Sequence, residues 1–376
     1  MDSNAVHVVA TSISGSIRDW SKVERIVPAF RAHGMTGIVL HRADSHAEAR
    51  AHARDAIERG ARVVISAGGS GTFNSVLEGC CDSGVPLGEI RLGFLRKGSA
   101  DLIGKALGIP DQVDAAVEVF VRAIADDRTA PCDVILAQSL GGGDLPRHFV
   151  GYGGVEIFGR VPHYTENRFV KYYKGILGQL FGDLGPFTAG MSLAALEKFL
   201  MTLRRPGDCW TISVDGGRVS IGRYQALLVL NGYLGPDLPF SSDPLGSGCV
   251  HLFGIRDLGR ARLFRQAMSA LDKSIVEDPD RFGFEHFCAR ESLELSCASG
   301  DGFPVNVDGA TMRCRRAVRF GIADSIRLFH APDAPAPSPS RDASAACARH
   351  GSGGLSPLTC GSARRPEPSP ARSAQT

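Results

Sequence analysis

The sequence predicts an α/β fold, with a helix-flanked parallel sheet in its first domain and a β-rich sandwich in its second. Two patterns along the 376 residues predict this fold. Up to about residue 130, short β-branched runs alternate with longer segments of helical periodicity, as in parallel sheets. Beyond residue 130, alternating strands and hairpin signals follow one another. We therefore expect an α/β domain over 1–130 and a β-rich domain over 131–331, and we leave open whether the last strand of the second domain returns to the first.

The first predicted domain contains strands joined by helices. Apolar residues at Val23, Ile26 and Phe30 have helical spacing, and Gly34 suits the C-terminal end of that helix. An alanine-rich charged segment predicts a second helix, and an amphipathic segment predicts a third. The predicted strands are 8–10, 38–40, 63–67 and 90–95, and the predicted helices are 20–33, 46–58 and 113–125.

The second predicted domain is β-rich. Asp215-Gly216 lies between alternating β-forming residues and predicts a hairpin over 211–221. Further strands are predicted at 225–230 and 250–253, and a helix at 261–271.

A helical insert with many bulky apolar residues is predicted near 158–203. It has two interpretations: an ordinary amphipathic insert packed on the sandwich, or an acyl-chain groove or lipid-contacting surface. In the second interpretation four basic side chains meet anionic headgroups. They are Arg160, Arg168, Lys171 and Lys174.

Composition and charge argue against several classes of protein. A net charge of +2 gives no basic field for nucleic acid. The ten cysteines show no CxxC spacing, which indicates reduced thiols and no structural zinc. The start of the chain lacks signal-peptide features, and no apolar run is long enough to span a bilayer. We expect a cytoplasmic protein with a disordered, Pro-Ser-Ala-Arg-rich tail over 332–376.

A glycine-rich turn follows the third predicted strand. The apolar run from Val63 leads into Gly68, Gly69, Ser70, Gly71 and Thr72, and a helix begins there. Glycines allow close approach of an anion, and the unpaired amides of a helix N-terminus favour negative charge. The turn therefore predicts a phosphate-binding loop, although the same pattern also suits a plain βα loop.

A second loop lies one βα unit further along, and it carries a more specific signal. It runs through Gly98, Ser99 and Asp101 to the sequence Leu107-Gly108-Ile109-Pro110. Together the two loops resemble the GGDGTxNE and GTxND…LGIP segments of the diacylglycerol kinase and sphingosine kinase family. Ser14-Gly15 falls where the first strand of that family ends in NPxSG. The resemblance extends more loosely to about Ala331.

The resemblance implies a Rossmann-like nucleotide-binding domain that holds ATP, with the active site in the cleft between the domains. It implies transfer of the γ-phosphoryl group to a lipid alcohol, such as diacylglycerol, a sphingoid base or a ceramide-like alcohol, with Mg²⁺ bridging the phosphates. It also implies peripheral membrane contact, and a homodimer is kept as an open alternative to a monomer. The implied ATP-binding residues are Thr11, Ser14, Gly15, Gly68, Gly69, Ser70, Gly71, Thr72, Asn74, Gly98, Ser99 and Asp101.

Asp308, in Val307-Asp308-Gly309, is the implied catalytic residue, which orients or deprotonates the acceptor hydroxyl. Asp-Gly also suits a bare β-turn. Arg96 and Lys97 beside the second loop either neutralise phosphate charge or are merely solvated. His41 and His251 are interpreted as structural.

The sequence departs from the family pattern at acidic positions. Carboxylates are the usual protein ligands of Mg²⁺, and a carboxylate is a common catalytic base. Candidate replacement ligands are Asp101, Asp237 and Asp243.

The departures leave a second hypothesis open, a catalytically impaired nucleotide- or lipid-binding relative. A relative of NAD kinase is a weaker third, because that family lacks the second loop. Family acids are replaced by Ser70, Ser75, Ser247 and Ala310.

Overall fold

A computed structural model describes residues 5–11, 21–96, 102–165, 192–198, 207–235, 238, 240–259, 262, 265–266, 269 and 274–334. The first part of the chain forms a parallel sheet in which β1 lies between β2 and β3, and β3 also pairs with β4. The strands are β1 (Val6–Thr11), β2 (Ile38–Ala43), β3 (Val63–Gly68) and β4 (Arg91–Arg96). Each residue of β1 and β3 is buried, because helices cover the sheet.

The helices of this part pack in pairs, α2 against α6 and α3 against α4. They are α1 (Ser21–Glu24), α2 (Ile26–Ala32), α3 (His46–Glu58), α4 (Ser70–Asp82), α5 (Leu102–Ala106) and α6 (Val113–Ala125). The bounds predicted for α3 and α6 are correct. The single helix predicted over 20–33 is wrong within the described residues, because the helical hydrogen-bond pattern is interrupted at Arg25 between α1 and α2, although Arg25 itself has helical φ −74° and ψ −18°. Pro28 explains the break, since it has no N–H to donate to the carbonyl four residues earlier.

The remainder of the chain is β-rich and mostly antiparallel, as the sequence predicts. Its strands are β5 (Thr129–Leu140), β6 (Arg147–Phe149), β7 (Tyr152–Glu156), β8 (Cys209–Val214), β9 (Gly217–Leu230), β10 (Val250–Arg256), β11 (Phe284–Ala289), β12 (Leu293–Cys297), β13 (Phe303–Val307), β14 (Ala310–Cys314) and β15 (Ala317–Phe329). This part also contains α7 (Ile157–Thr165), α8 (Pro279–Phe282) and a helical segment at 192–198.

The long strand β9 links two layers of this β-rich part. Its first half pairs with β8, and its second half pairs with β7 and β10. Between the layers lies an apolar core that includes Trp210, Tyr224, Phe149 and Phe320, all nearly inaccessible to solvent. The predicted hairpin joins β8 to β9, and both turn residues have positive φ, 48° at Asp215 and 79° at Gly216. These values fit the type I′ turn that an Asp-Gly pair favours.

Strand β15 connects the two parts of the fold. Along most of its length it pairs antiparallel with β5, while Arg327 and Leu328 pair in parallel with Arg91 and Leu92 of β4. The last strand of the β-rich part thus extends the parallel sheet. The predicted α/β fold class, a parallel sheet followed by a β-rich part, is confirmed.

Several predictions concern residues outside the described ranges. The insert near 158–203 is described only over α7 and the helical segment 192–198, and the helix predicted at 261–271 only at positions 262, 265, 266 and 269. The predicted tail is described only as far as Ala334. Within the described residues, no helix has both the length and the apolarity needed to cross a bilayer.

Candidate active site

The glycine turn lies where β3 ends and α4 begins. Gly69 is extended, with φ −90° and ψ −175°, and Ser70 is the first residue of α4. At Gly68 a Cβ atom would lie 2.4 Å from the Thr72 hydroxyl oxygen, so that only glycine fits there. Amides in the first turn of a helix have no intrahelical acceptor and favour negative charge. The turn is therefore suited to bind a phosphate group.

Thr11 and Thr72 join β1 to α4 beneath the turn. Their hydroxyl oxygens lie 2.6 Å apart, and both residues are completely buried. The Thr72 hydroxyl therefore faces the sheet, so a contact of either residue with a ligand would come from the backbone. Sequence reasoning placed both residues at the loop without predicting this hydrogen bond.

Asn74 and Glu78, one turn apart on α4, contact the β-rich part of the chain. The Asn74 side-chain amide donates to the His148 carbonyl over 2.7 Å, and Glu78 Oε1 accepts the His148 N–H at 2.8 Å. Both side chains are buried. Asn74 and Glu78 together attach β6 to α4. The sequence predicts that Asn74 binds ATP, but its side chain is used here to join the two parts of the chain.

Asp308 lies beside the glycine turn, although it comes from the far end of the chain. It occupies the tight turn between β13 and β14 with a φ of 46°. At the next residue, Gly309, a Cβ atom would lie only 3.1 Å from the Ser70 hydroxyl oxygen. The structure thus brings Asp308 and the glycine turn together.

The Asp308 carboxylate is 1% exposed and accepts three backbone hydrogen bonds. Val150 and Gly151 donate to Oδ2 over 3.0 and 3.2 Å, and Tyr152 donates to Oδ1 over 2.8 Å. Burial raises its pKa to about 6, although the three amides act in the opposite direction. In this conformation the carboxylate positions the 150–152 segment and is closed to an acceptor hydroxyl.

A buried polar cluster lies beside Asp308. Sequence reasoning marked Ser247 in it as a position where a family acid is replaced, but it missed Asp133. Asn231 donates to the carbonyls of Asp133 and Val150 over 2.6 and 2.9 Å, and Asp133 Oδ2 accepts the Gly248 N–H at 2.7 Å. Burial raises the pKa of Asp133. The side-chain oxygens of Asn231 and Ser247 are buried and have no hydrogen-bond partner among the described residues. The available signal was an acid in the apolar run Cys132-Asp133-Val134-Ile135.

His46, at the start of α3, is a second residue that sequence reasoning missed. Its ring lies 3.0 Å from where a Cβ of Gly71 would be, and its Nδ1 lies 3.2 Å from the Ser75 hydroxyl oxygen. The ring therefore borders the glycine turn. A helix-capping serine, Ser45, directly before a histidine at the end of a strand was the available signal.

The described residues do not by themselves fit a bound Mg²⁺ ion. Among them, no three His, Cys, Asp or Glu side chains converge on one point. The candidate Asp243 is half-exposed, and its carboxylate lies 3.3 Å from His251 Nε2. Burial lowers the pKa of His251, and the nearby Asp243 opposes that change. The other metal candidates, Asp101 and Asp237, lie outside the described residues.

The second loop is described only at its end. Ser14, Gly15, Gly98, Ser99 and Lys97 also lie outside the described residues. The end of the second loop is described, and there Gly108 adopts a φ of 69° just after α5. The amide of Ala331, which follows β15, donates to the Leu107 carbonyl over 2.9 Å. The Leu-Gly-Ile-Pro sequence therefore ends α5 and attaches it to the last strand.

Comparison with known proteins supports the resemblance. Residues 5–135 match the family model of the diacylglycerol kinase catalytic domain. A diacylglycerol kinase of Staphylococcus haemolyticus is 31% identical over 87 residues, a match that spans 23% of this chain and 24% of that protein.

Two solved structures from Bacillus anthracis share the fold over most of the chain. A diacylglycerol kinase superposes with a TM-score of 0.59 at 14% identity, covering 88% of this chain and 98% of its own. Another structure from the same organism gives a TM-score of 0.62 at 16% identity, covering 88% and 97%. The family model spans all four strands β1 to β4, so this part of the chain is similar to the diacylglycerol kinase catalytic domain.

Proposed function

We propose that the protein is an ATP-dependent lipid kinase that transfers a phosphoryl group to the hydroxyl of a lipid alcohol. The observation that carries the proposal is the contact between the glycine turn at Ser70 and the Asp308-Gly309 turn. It brings a phosphate-binding helix N-terminus to the β-rich part, at an edge where α/β sheets commonly bind ligands.

The residues of this chain would act mainly by positioning. Bound ATP would supply the phosphoryl group, and the first-turn amides of α4 would stabilise negative charge on its phosphates. Asp308 would hold the 150–152 backbone against the turn through its three amide contacts. Phosphoryl transfer passes through a loose transition state that demands little covalent chemistry, so that orientation and charge stabilisation account for most of the acceleration.

A lipid acceptor would require access to a membrane, and we propose a cytoplasmic protein that contacts the membrane peripherally. The helical segment 192–198 supports this, because Leu193 and Leu196 are 39% and 54% exposed while Ala194 is buried. Arg160, one of the basic residues predicted to meet headgroups, instead forms an ion pair with Glu197 at 2.9 Å. The other three lie outside the described residues.

A catalytically impaired kinase is the second candidate. It is favoured by the saturated Asp308 carboxylate and by Ala310, which supplies no carboxylate next to that turn. In this case the glycine turn would still bind a nucleotide, and no phosphorylated lipid would form.

The test is ATP consumption by the purified protein against a panel of micellar lipid alcohols, with mass analysis of any product. For a kinase we expect a phosphorylated lipid, and its formation should fall by at least tenfold in Gly69→Val. Gly69 has an ordinary backbone conformation, so valine blocks the approach of the phosphate without straining the chain. Gly217→Val, on the β8–β9 hairpin, is the matched control and should retain full activity.

Ser70→Asp separates the two candidates. If the wild type is almost inactive and Ser70→Asp gains activity, the natural site is impaired. If the wild type is active and Ser70→Asp loses activity, the natural site works with serine at this position. ATP binding without turnover on any lipid would contradict the kinase proposal and favour the binding protein.

A further inference from the structure

A pocket of about 280 Å³ lies on the β-rich part, at the end of β10 remote from the candidate active site. His251, near the start of β10, pairs with Leu230 of β9, which is adjacent to Asn231 of the active-site cluster. The pocket lies beyond Arg256, at the other end of the same strand. At about 3.4 Å per residue, the two ends of β10 are roughly 20 Å apart.

Three arginine side chains line this pocket, Arg262, Arg265 and Arg281, together with a single acid, Asp280. Within the described ranges, no carboxylate pairs with any of the three guanidinium groups. The Arg281 guanidinium lies 5.5 Å from the centre of the Phe282 ring, a contact that restrains it at the pocket wall. The lining therefore has an excess of positive charge, carried by groups that match phosphate oxygens in geometry.

Gln266 supplies a second, independent feature. It is 2% exposed and lines the same pocket. Its amide nitrogen donates to the carbonyls of Arg256 and Phe282 over 2.8 and 2.7 Å. These two bonds use both N–H groups and fix the orientation of the amide. Its oxygen is buried and has no hydrogen-bond partner in the described part of the chain. Beside the pocket wall this leaves an unsatisfied acceptor, which a ligand that reaches it with a hydrogen-bond donor would satisfy.

We propose that this pocket binds a phosphate group that bears or adjoins a hydroxyl. The arginines would bind the phosphate oxygens, and Gln266 Oε1 would accept the hydroxyl hydrogen. Such chemistry occurs in a soluble phosphate ester and in a phospholipid headgroup. The site is separate from the glycine turn, and the proposal does not depend on kinase activity.

The first test measures binding of inorganic phosphate to the full chain by calorimetry, in the presence of a saturating non-hydrolysable ATP analogue. The double variant Arg262→Gln/Arg265→Gln should weaken binding at least tenfold. The control Arg315→Gln/Arg316→Gln removes equal charge from exposed residues between β14 and β15, neither of which lines the pocket, and should change binding less than twofold. Equal binding by both double variants, or no binding by the wild type, would overturn the site.

The role of Gln266 is tested by comparing phosphate with sulfate at pH 7. The two anions are similar in size, but sulfate has no hydroxyl to donate. We expect phosphate to bind at least fivefold more tightly, and equal affinity would overturn the contact with Gln266. No Gln266 variant is needed, so the result does not depend on a substitution that could unfold the chain.

Two further measurements identify the source of the phosphate. One titrates sn-glycerol 3-phosphate, and the other measures flotation with phosphatidylcholine vesicles that do or do not contain phosphatidylglycerol. If the wild type binds sn-glycerol 3-phosphate and the Arg262→Gln/Arg265→Gln variant does not, the natural ligand is a soluble ester. The same loss in the second indicates a lipid headgroup, and no arginine-dependent binding in either would overturn the proposal.

Discussion

Asp308 illustrates how far a single residue could be predicted. Its place at the site followed from the Val-Asp-Gly sequence and the family resemblance. Its engagement by three amides did not, because the donors Val150, Gly151 and Tyr152 are more than 150 positions earlier in the chain. Thr72 shows the same limit. Its glycine-rich surroundings predicted its place at the loop, but not the hydrogen bond between its hydroxyl and that of Thr11. Local sequence carries no information about such distant partners.

The buried carboxylate of Asp308 should make stability depend on pH. Because burial raises its pKa from 3.8 to about 6, the folded protein holds this proton more tightly than the unfolded chain. The resulting stabilisation is full below about pH 4 and is lost as the pH rises through 6, a change of roughly 3 kcal/mol. In urea titrations from pH 4 to 7.5, Asp308→Asn should therefore lose stability less steeply with rising pH than the wild type. Curves for Asp308→Asn and the wild type that run parallel over this pH range would contradict this.

Among the elements, α4 has two functions. Its first turn forms part of the glycine turn, and its next turns hold β6 through Asn74 and Glu78. Helices α3 and α6 were predicted with their correct ends, because an alanine-rich charged segment marks the first and an amphipathic segment marks the second. The contact of α4 with β6 was not predicted, because the pairing of separate elements is a property of tertiary packing.

The contact between α4 and β6 can be tested at Glu78. Glu78→Ala leaves the half-buried His148 N–H without its acceptor and also removes the contacts of this carboxylate with Arg50 and the His148 ring. It should lower the free energy of unfolding by about 1–3 kcal/mol. Glu118→Ala on α6 is the control, since that carboxylate forms only an exposed pair with Arg122 one turn away. Glu118→Ala should lower the free energy of unfolding by less than about 0.5 kcal/mol. Chemical denaturation measures both, and equal losses would show that the contact adds no stability.

At the scale of the whole molecule, β15 makes the two parts interdependent, because it pairs with β4 in one and with β5 and β12 in the other. The fold class was predictable from the alternation of patterns along the chain. The return of the last strand to the first sheet was only a conjecture, since no local signal specifies the partner of a strand.

The two parts should therefore unfold together. Leu328 is 1% exposed at the junction with β4, and Leu328→Ala should destabilise the protein by about 2–5 kcal/mol. In a Trp20→Phe background, fluorescence comes from Trp210 and reports on the β-rich core. Amide exchange of β3 reports on the parallel sheet. In Leu328→Ala, the unfolding midpoint reported by each probe should fall, and the two midpoints should be equal. A shift in only one of them would mean that the parts unfold independently.

The position of β15 also affects synthesis on the ribosome. Strands β1 to β4 emerge early, but the outer edge of β4 has no partner until Arg327 and Leu328 have been translated. Until then the nascent protein exposes an unpaired strand edge, which invites association with other chains. Because contacts so distant in sequence also form slowly, we expect the newly made protein to depend on chaperones until its final strand is in place.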